Sequence, residues 1–515
     1  MSFFSRFRTP SKGASGTKSD GSEESGAAFF GGRYLPAEET TKHFLAVGTT
    51  GSGKTVVLRL LMQSVLPQIG LGQDTRAILY DAKQDLMSIL GAYLNPECLR
   101  TSHPFDERGL SWCLWRDVQE PRTAVEIAFT LIPREHESQP FFADAARHLM
   151  YGVMISFMSS GREWMFADLV RSLRSKRILK QVLRKHPYTR ELIGLYFRDE
   201  RLFSNIMSTI ATKMMAFETI AAAWETAKGS FSLEDWLTEE YALLLGSAHT
   251  SRAAIEAINR CIFKRACDLT LNLPDSFSRS NWFFLDEVSS AGKHDSLVSL
   301  LKEGRSKGAR VVLATQSLSG MRDPKMYGPH VTDEILGLVG NRFIGRIEDP
   351  ETAEWLSRLF GDQEIVQITR GHTSSSGSGN SSSSVSRSAS IRRAVLPAEL
   401  MNLPGASSER GIPGYYLLRA YGCFDITYPA PEVFDEWLEP LADDEPHFIP
   451  RPASSQFLQA WSAQRAEEFE LQIQPRPEDP QRHRLRRKDR EAERRSEAGD
   501  DPWREGPQEF DDLFR

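Results

Sequence analysis

The sequence predicts an α/β fold on a mostly parallel sheet, interrupted by an inserted all-α domain. Three observations carry this expectation. Short apolar runs such as HFLAVG (43–48), RAILYD (76–81) and ARVVLAT (309–315) are continuous rather than alternating, as strands buried on both faces require. Segments with apolar residues at i, i+3 and i+4, such as VVLRLLMQSVL (56–66), separate them. Between about 104 and 238 the strand pattern stops and only helical periodicity remains.

In chain order, residues 1–30 are rich in Gly, Ser and Lys and read as a disordered tail. Phe3, Phe4 and Phe7 alternate there with Arg6 and Arg8, enough for a small interfacial anchor, although an unstructured tail is the plainer reading. Residues 31–103 begin the sheet domain with strand, turn, helix and strand. The all-α insert is expected over 104–238. The sheet pattern resumes over 239–440 with YALLLG (241–246), a helix over 251–270, WFFLD (282–286), a helix over 294–307, ARVVLAT and NRFIGRI (341–347). YYLLRAYG (415–422) and FDITYP (424–429) predict a closing hairpin. Within this part, 371–392 is Ser-rich and is expected to be a disordered loop. Residues 441–515 are Pro-rich and charged, and predict a largely disordered tail with a basic run (482–495) before an acidic end.

Composition narrows the function classes. A chain of 515 residues with a net charge of −6 is no polycation, so nucleic-acid contact requires local basic patches. Five cysteines without a CxxC pair argue against a disulfide framework or a zinc site, and for a reducing compartment. The longest apolar stretch, LMYGVMISFM (149–158), falls well short of the roughly 18 residues that a bilayer span needs, and no signal peptide opens the sequence.

The strongest chemical signal is Gly48-Thr49-Thr50-Gly51-Ser52-Gly53-Lys54-Thr55, a Walker A pattern between a predicted strand and a predicted helix. Its glycines let backbone N–H groups curl around phosphate oxygens at a helix N-terminus. Lys54 is placed to reach the β- and γ-phosphates of ATP, and the Thr55 hydroxyl to ligate Mg²⁺. The apolar run before Asp286 and Glu287 supplies a Walker B partner: Asp286 for Mg²⁺ through water, Glu287 to polarise the attacking water. Glu287 also suits a helix cap. ARVVLAT brings Thr315 and Gln316 to another strand end, where the Gln316 amide is a candidate γ-phosphate sensor or a simple turn residue. Arg305 lies in a Gly/Ser-rich segment and is a candidate finger for a neighbouring subunit's nucleotide, or a solvated surface arginine. Arg171, Arg174, Lys176, Arg177, Lys180, Arg184 and Lys185 cluster in the insert and suit either DNA phosphates or a solvated helix face. Leu318-Ser319-Gly320 is the nearest approach to an ABC signature, but it follows the Walker B strand instead of preceding it, which excludes that class.

The order of Walker A, DAKQD (81–85), HPFDERGLSW (103–112), FFLDE (283–287), KEGRSKGARVVLATQS (302–317) and IEDPETAEWLSRLFG (347–361) resembles type IV coupling proteins. These are the TraD/TraG-like conjugative ATPases related to FtsK and HerA motors, and the likeness runs over about 31–435. It implies a RecA-like P-loop domain carrying the all-α insert. It also implies a homohexameric ring that hydrolyses ATP to pump DNA, through backbone contacts without sequence preference, toward a type IV secretion channel and its relaxase. Arg305 becomes the trans finger and Gln316 the sensor. Members of the family usually begin with transmembrane helices, and this sequence holds none. A cytoplasmic location, peripheral at the inner membrane or reached through partners, is therefore expected. DAKQD departs from the Pro and Gly common in relatives and receives no chemical role. The competing reading is an ATP-switched receptor that docks relaxase or effector proteins without DNA-stimulated turnover.

Overall fold

The computed structural model describes residues 28–473, apart from 134–139, 249–250, 375–380, 420, 428–429, 431, 442–444 and 453–456. The chain divides into two units, Met1–Leu458 and Gln459–Arg515. In the first, a short hairpin of β1 (Ala28–Phe30) and β2 (Arg33–Leu35) precedes β3 (Phe44–Val47), β4 (Thr75–Asp81) and β5 (Leu99–Thr101). The root of the insert supplies β6 (Ser111–Trp112) and β7 (Ser230–Phe231). Then come β8 (Ala242–Gly246), β9 (Ser280–Leu285), β10 (Ala309–Thr315) and β11 (Asn341–Ile344). A long ribbon of β12 (Asp362–Ser374) and β13 (Ser381–Arg393) and a hairpin of β14 (Pro413–Leu418) and β15 (Gly422–Thr427) follow.

Nine of these strands form one sheet in the order β15-β14-β11-β3-β10-β9-β4-β8-β5. Neighbours from β11 to β5 are parallel, and β14 and β15 close one edge antiparallel. Every residue of β3, β4, β8, β9 and β10 is buried, which is why their sequences show no polar alternation. The helix Lys54–Val65 packs Val57, Leu58, Leu61, Met62 and Val65 inward at helical spacing. Aromatic rings extend this core across the sheet. Phe30 lies 5.2 Å from Phe44 and 5.5 Å from Tyr416, and Phe44 lies 5.8 Å from Trp282.

The insert is built from the helices Pro121–Leu131, Pro140–Ser159, Phe166–Arg174, Lys176–Leu183, Pro187–Tyr196 and Glu200–Glu225. The longest begins where Asp199 Oδ1 accepts the N–H groups of Arg201 and Leu202 at 2.8 and 2.9 Å. At the neck, β6 and β7 run parallel. Asp117, fully buried beside them, accepts Trp112 Nε1 at 2.5 Å, the Ser232 hydroxyl at 2.7 Å and the Leu233 N–H at 3.0 Å. Burial raises its carboxyl above the ordinary aspartate range even with these donors.

Three expectations change. Ala28 and Phe30 belong to a strand with side chains almost fully buried, so order begins inside the expected 1–30 tail. The Ser-rich stretch 371–392 is, over its described residues, part of the β12–β13 ribbon, paired from Asp362↔Arg393 to Ser374↔Ser381. The Ile and Val residues that start the ribbon favour extended backbone, and the ladder itself is made by main-chain groups that serine carries as well as any residue. Finally, part of the expected 441–515 tail is bound. Glu107 N–H donates to Ile449 O at 2.7 Å, Arg108 pairs with Glu445 at 2.6 Å, and Arg451 Nε donates to Pro104 O at 2.7 Å. The second unit holds the helix Ala463–Glu468, capped by the Ser462 hydroxyl. Phe3, Phe4, Phe7 and the basic run 482–495 lie outside the described residues.

His43, at the base of β3, locks three elements together in a left-handed conformation (φ 56°). Its Nδ1 accepts the Val311 N–H at 3.1 Å, so its Nε2 carries the proton and donates to Leu301 O, also at 3.1 Å. Burial first, and the nearby Arg305 and Arg310 charges second, push its pKa down to about 4. The unfolded imidazole titrates near 6.5. The contribution of His43 is therefore complete above that pH and is lost as pH falls toward 4, at about 1.4 kcal/mol per pH unit. His43→Asn keeps an acceptor for Val311 and does not titrate. In urea melts between pH 7 and 4, wild type should lose stability faster than the variant, and parallel curves would show that His43 takes up its proton as readily in the folded chain as in the unfolded one.

Candidate nucleotide-binding site

The loop Gly48–Gly53 connects β3 to the helix Lys54–Val65. Gly53 sits at φ 95° as the helix N-cap, where an added Cβ would fall 2.4 Å from Ile412. The loop is tied down on three sides. Gly48 N–H donates to Thr315 O at 3.3 Å, Thr49 N–H to Arg346 O at 2.7 Å, and Gly51 O accepts the Ala406 N–H at 2.9 Å. Lys54 is buried, and its ammonium donates back to the carbonyls of Gly48 and Thr49, the latter at 3.1 Å. Burial, then the charge of Lys83, lowers its pKa. Ser52 Oγ is buried without a partner among the described residues. Thr55 opens the helix with an exposed side chain, and Thr50 lies at the outer turn of the loop.

Asp286 and Glu287 follow β9 directly and are both buried, at 6% and 7% exposure. Only β10 separates β9 from β3. Thr315, at the end of β10, links the two motifs: its carbonyl holds Gly48, and its hydroxyl lies 3.4 Å from Glu287 Oε1. Ser289 donates to the same oxygen at 2.7 Å. Glu287 Oε2 is buried with no partner among the described residues. One oxygen is thus fixed and the other is left as a free acceptor. Asp286 Oδ2 pairs with Lys83 Nζ at 2.8 Å. The oxygen donors of Thr55 and Asp286 suit a hard cation such as Mg²⁺, which is commonly bound by one or two protein oxygens together with substrate phosphates.

Gln316 follows Thr315 with an exposed side chain. Arg305 lies in the turn Gly304–Lys307, ahead of β10, with its Nε donating to Thr41 at 3.0 Å. It therefore stands at the opposite strand end from Thr315, a β10 length of roughly 20 Å away at ~3.3 Å per residue. The basic cluster of the insert is partly consumed by acids. Arg171 is buried against Asp168 and Glu225, Arg174 pairs with Glu218 at 3.2 Å, and Lys176 pairs with Glu200. Arg177 and Arg184 have exposed side chains. Sequence reasoning gave no role to Ser289 or Lys83. The Ser289 contact is local, two residues beyond Glu287, whereas Lys83 reaches Asp286 from the turn after β4, distant in sequence.

The model of the type IV secretion-system coupling protein DNA-binding domain matches residues 28–414. Coupling protein TraD of Escherichia coli (strain K12) is 21% identical over 383 residues, which are 73% of this chain and 51% of TraD. Conjugal transfer protein TraG of Rhizobium radiobacter is 32% identical over 125 residues, 24% of this chain and 19% of TraG. The chain thus spans about half the length of TraD. Among solved structures, the conjugative coupling protein TrwBdeltaN70 in its unbound monoclinic form superposes with a TM-score of 0.60 at 21% identity, covering 83% of this chain and 92% of that one. Plasmid coupling protein TrwB in complex with ADP and Mg²⁺ gives 0.62 at 20% identity, covering 84% and 94%. These likenesses are of fold, a RecA-like P-loop domain with an inserted helical domain. From the β1–β2 hairpin through the ribbon to the start of β14, the chain belongs to the family of type IV secretion-system coupling protein DNA-binding domains.

Proposed function

We propose that this chain is the ATP-hydrolysing motor of a conjugative coupling protein, moving DNA through a homohexameric ring toward a type IV secretion channel. The observation that carries this reading is Glu287, a buried carboxylate with one oxygen fixed by Ser289 and the other unpartnered among the described residues, beside Thr315, whose carbonyl holds the phosphate loop. That arrangement suits a general base that must hold one lone pair on an attacking water. The solved TrwB complexes with nucleotide analogues and with ADP and Mg²⁺ support ATP and Mg²⁺ as ligands of the same fold.

The loop Gly48–Gly53 cradles the phosphates, and Lys54 leaves its own loop carbonyls for the β- and γ-phosphate oxygens. Thr55 and Asp286 would hold Mg²⁺, which would supply charge neutralisation at the phosphates. Glu287 Oε2 takes the proton of the water that attacks the γ-phosphorus. Gln316, exposed at the end of β10, senses the terminal phosphate. Arg305 stands too far from its own phosphate loop and completes a neighbour's site in trans, the role for which a ring is required. Arg177 and Arg184 offer the insert's phosphate contacts to DNA, without base readout. Among the described residues no helix is long and apolar enough to cross a membrane. Relaxase and secretion components are the partners that the family's role implies.

Hydrolysis assays with and without DNA test this reading. Wild type should be stimulated by DNA, and equal rates with and without it would favour the receptor function instead. Lys54→Ala should lose nucleotide binding outright. Glu287→Gln should bind ATP normally and turn it over ~10²–10³-fold more slowly, the scale of a lost general base. Ser289→Ala should lower kcat about tenfold at unchanged ATP affinity, because the orienting hydrogen bond it gives Glu287 is worth ~1.4 kcal/mol. Arg305→Ala should assemble and bind ATP but hydrolyse ~10³-fold more slowly, and mixing it with Glu287→Gln subunits should restore turnover at interfaces that pair an intact Glu287 with an intact Arg305.

A further inference from the structure

DAKQD follows β4 and received no role from its sequence, yet it delivers Lys83 to the nucleotide site. The turn that carries it is held at every point but one. Asp81, 4% exposed, accepts the N–H groups of Asp85 and Leu86 at 3.1 and 3.3 Å, which fixes the start of the helix Leu86–Tyr93. Ser247 Oγ donates to the carbonyls of Asp81 and Ala82 at 2.8 and 3.1 Å. Gln84 takes a left-handed conformation, φ 62°, costly for a residue with a Cβ, and its amide donates to Ser247 O. The Lys83 side chain reaches away from this frame and ends on Asp286 Oδ2 at 2.8 Å.

Two lysines therefore serve the site in different ways. Lys54 is turned onto its own loop, so Lys83 is the cation that neutralises the buried Asp286.

We propose that Lys83 is a tethered counter-ion of the metal-binding carboxylate. It occupies Asp286 when no terminal phosphate is present, competes there with the divalent cation, and turns to the terminal phosphate of a nucleoside triphosphate when it releases the carboxylate. It thereby distinguishes triphosphate from diphosphate. This inference rests on the nucleotide-site reading above and adds a specificity residue to it.

The experiment is equilibrium binding of fluorescent ATP and ADP analogues to the full chain, titrated with Mg²⁺, for wild type, Lys83→Met and Lys83→Arg. In Lys83→Met the half-saturating Mg²⁺ for the diphosphate should fall at least threefold, because the competitor is gone. Its preference for triphosphate over diphosphate should shrink at least tenfold, and Lys83→Arg should restore that preference. A Mg²⁺ requirement unchanged within twofold, or an equal loss of both nucleotides, would overturn the proposal and leave Lys83 a structural strut. Wild type that binds neither nucleotide would instead remove the nucleotide-site reading, and this inference with it.

Discussion

The register of β10 between β3 and β9 is the constraint from which the site follows. Val312 to Thr315 lie beside Phe44 to Val47 on one flank, and Ala309 to Leu313 beside Asn281 to Leu285 on the other. Because parallel strands advance together, this pairing brings Gly48, Thr315 and the Asp286–Glu287 pair to one edge of the sheet. A slip of one residue would turn Thr315 away from Glu287 and bury the wrong face of the strand. Full burial of all three strands makes such a slip costly, and His43 pins β3 to β10 from the other end.

The same arrangement separates two kinds of cation. Lys54 and Lys83 belong to the edge that carries the phosphate loop, whereas Arg305 belongs to the edge where β10 begins. The length of β10 thus keeps this arginine away from the phosphate loop of its own chain, while both lysines stand beside it.

Much of this was legible in the sequence. Continuous apolar runs located β3, β4, β8, β9, β10 and β11, because strands covered on both sides leave no polar period to misread. The Gly48–Thr55 loop and the Asp286–Glu287 pair stood out as candidates because their pattern tolerates few substitutes. Less legible were groups whose significance lies in contact across long sequence distances: Thr315 beside Glu287, Lys83 on Asp286, and residues 445–451 on the loop at 103–109. The ribbon was hidden for a different reason. Its serines announce no burial, and its ladder is a property of main-chain pairing that side-chain composition does not encode. In the insert, counting basic residues overstated the positive surface, since Arg171, Arg174 and Lys176 already have acids beside them.

The neck of the insert has a consequence for the whole family of such architectures. The chain departs through Ser111–Trp112 and comes back through Ser230–Phe231, side by side, with Asp117 riveting the junction. The conformational entropy that the sheet must surrender to join those ends is then fixed at the doorway, and grows only logarithmically with whatever lies beyond it. Helices can be added, lost or remodelled out there while the parent layer keeps its own geometry. A sheet wired in this manner accepts new attachments without having to be refolded around them.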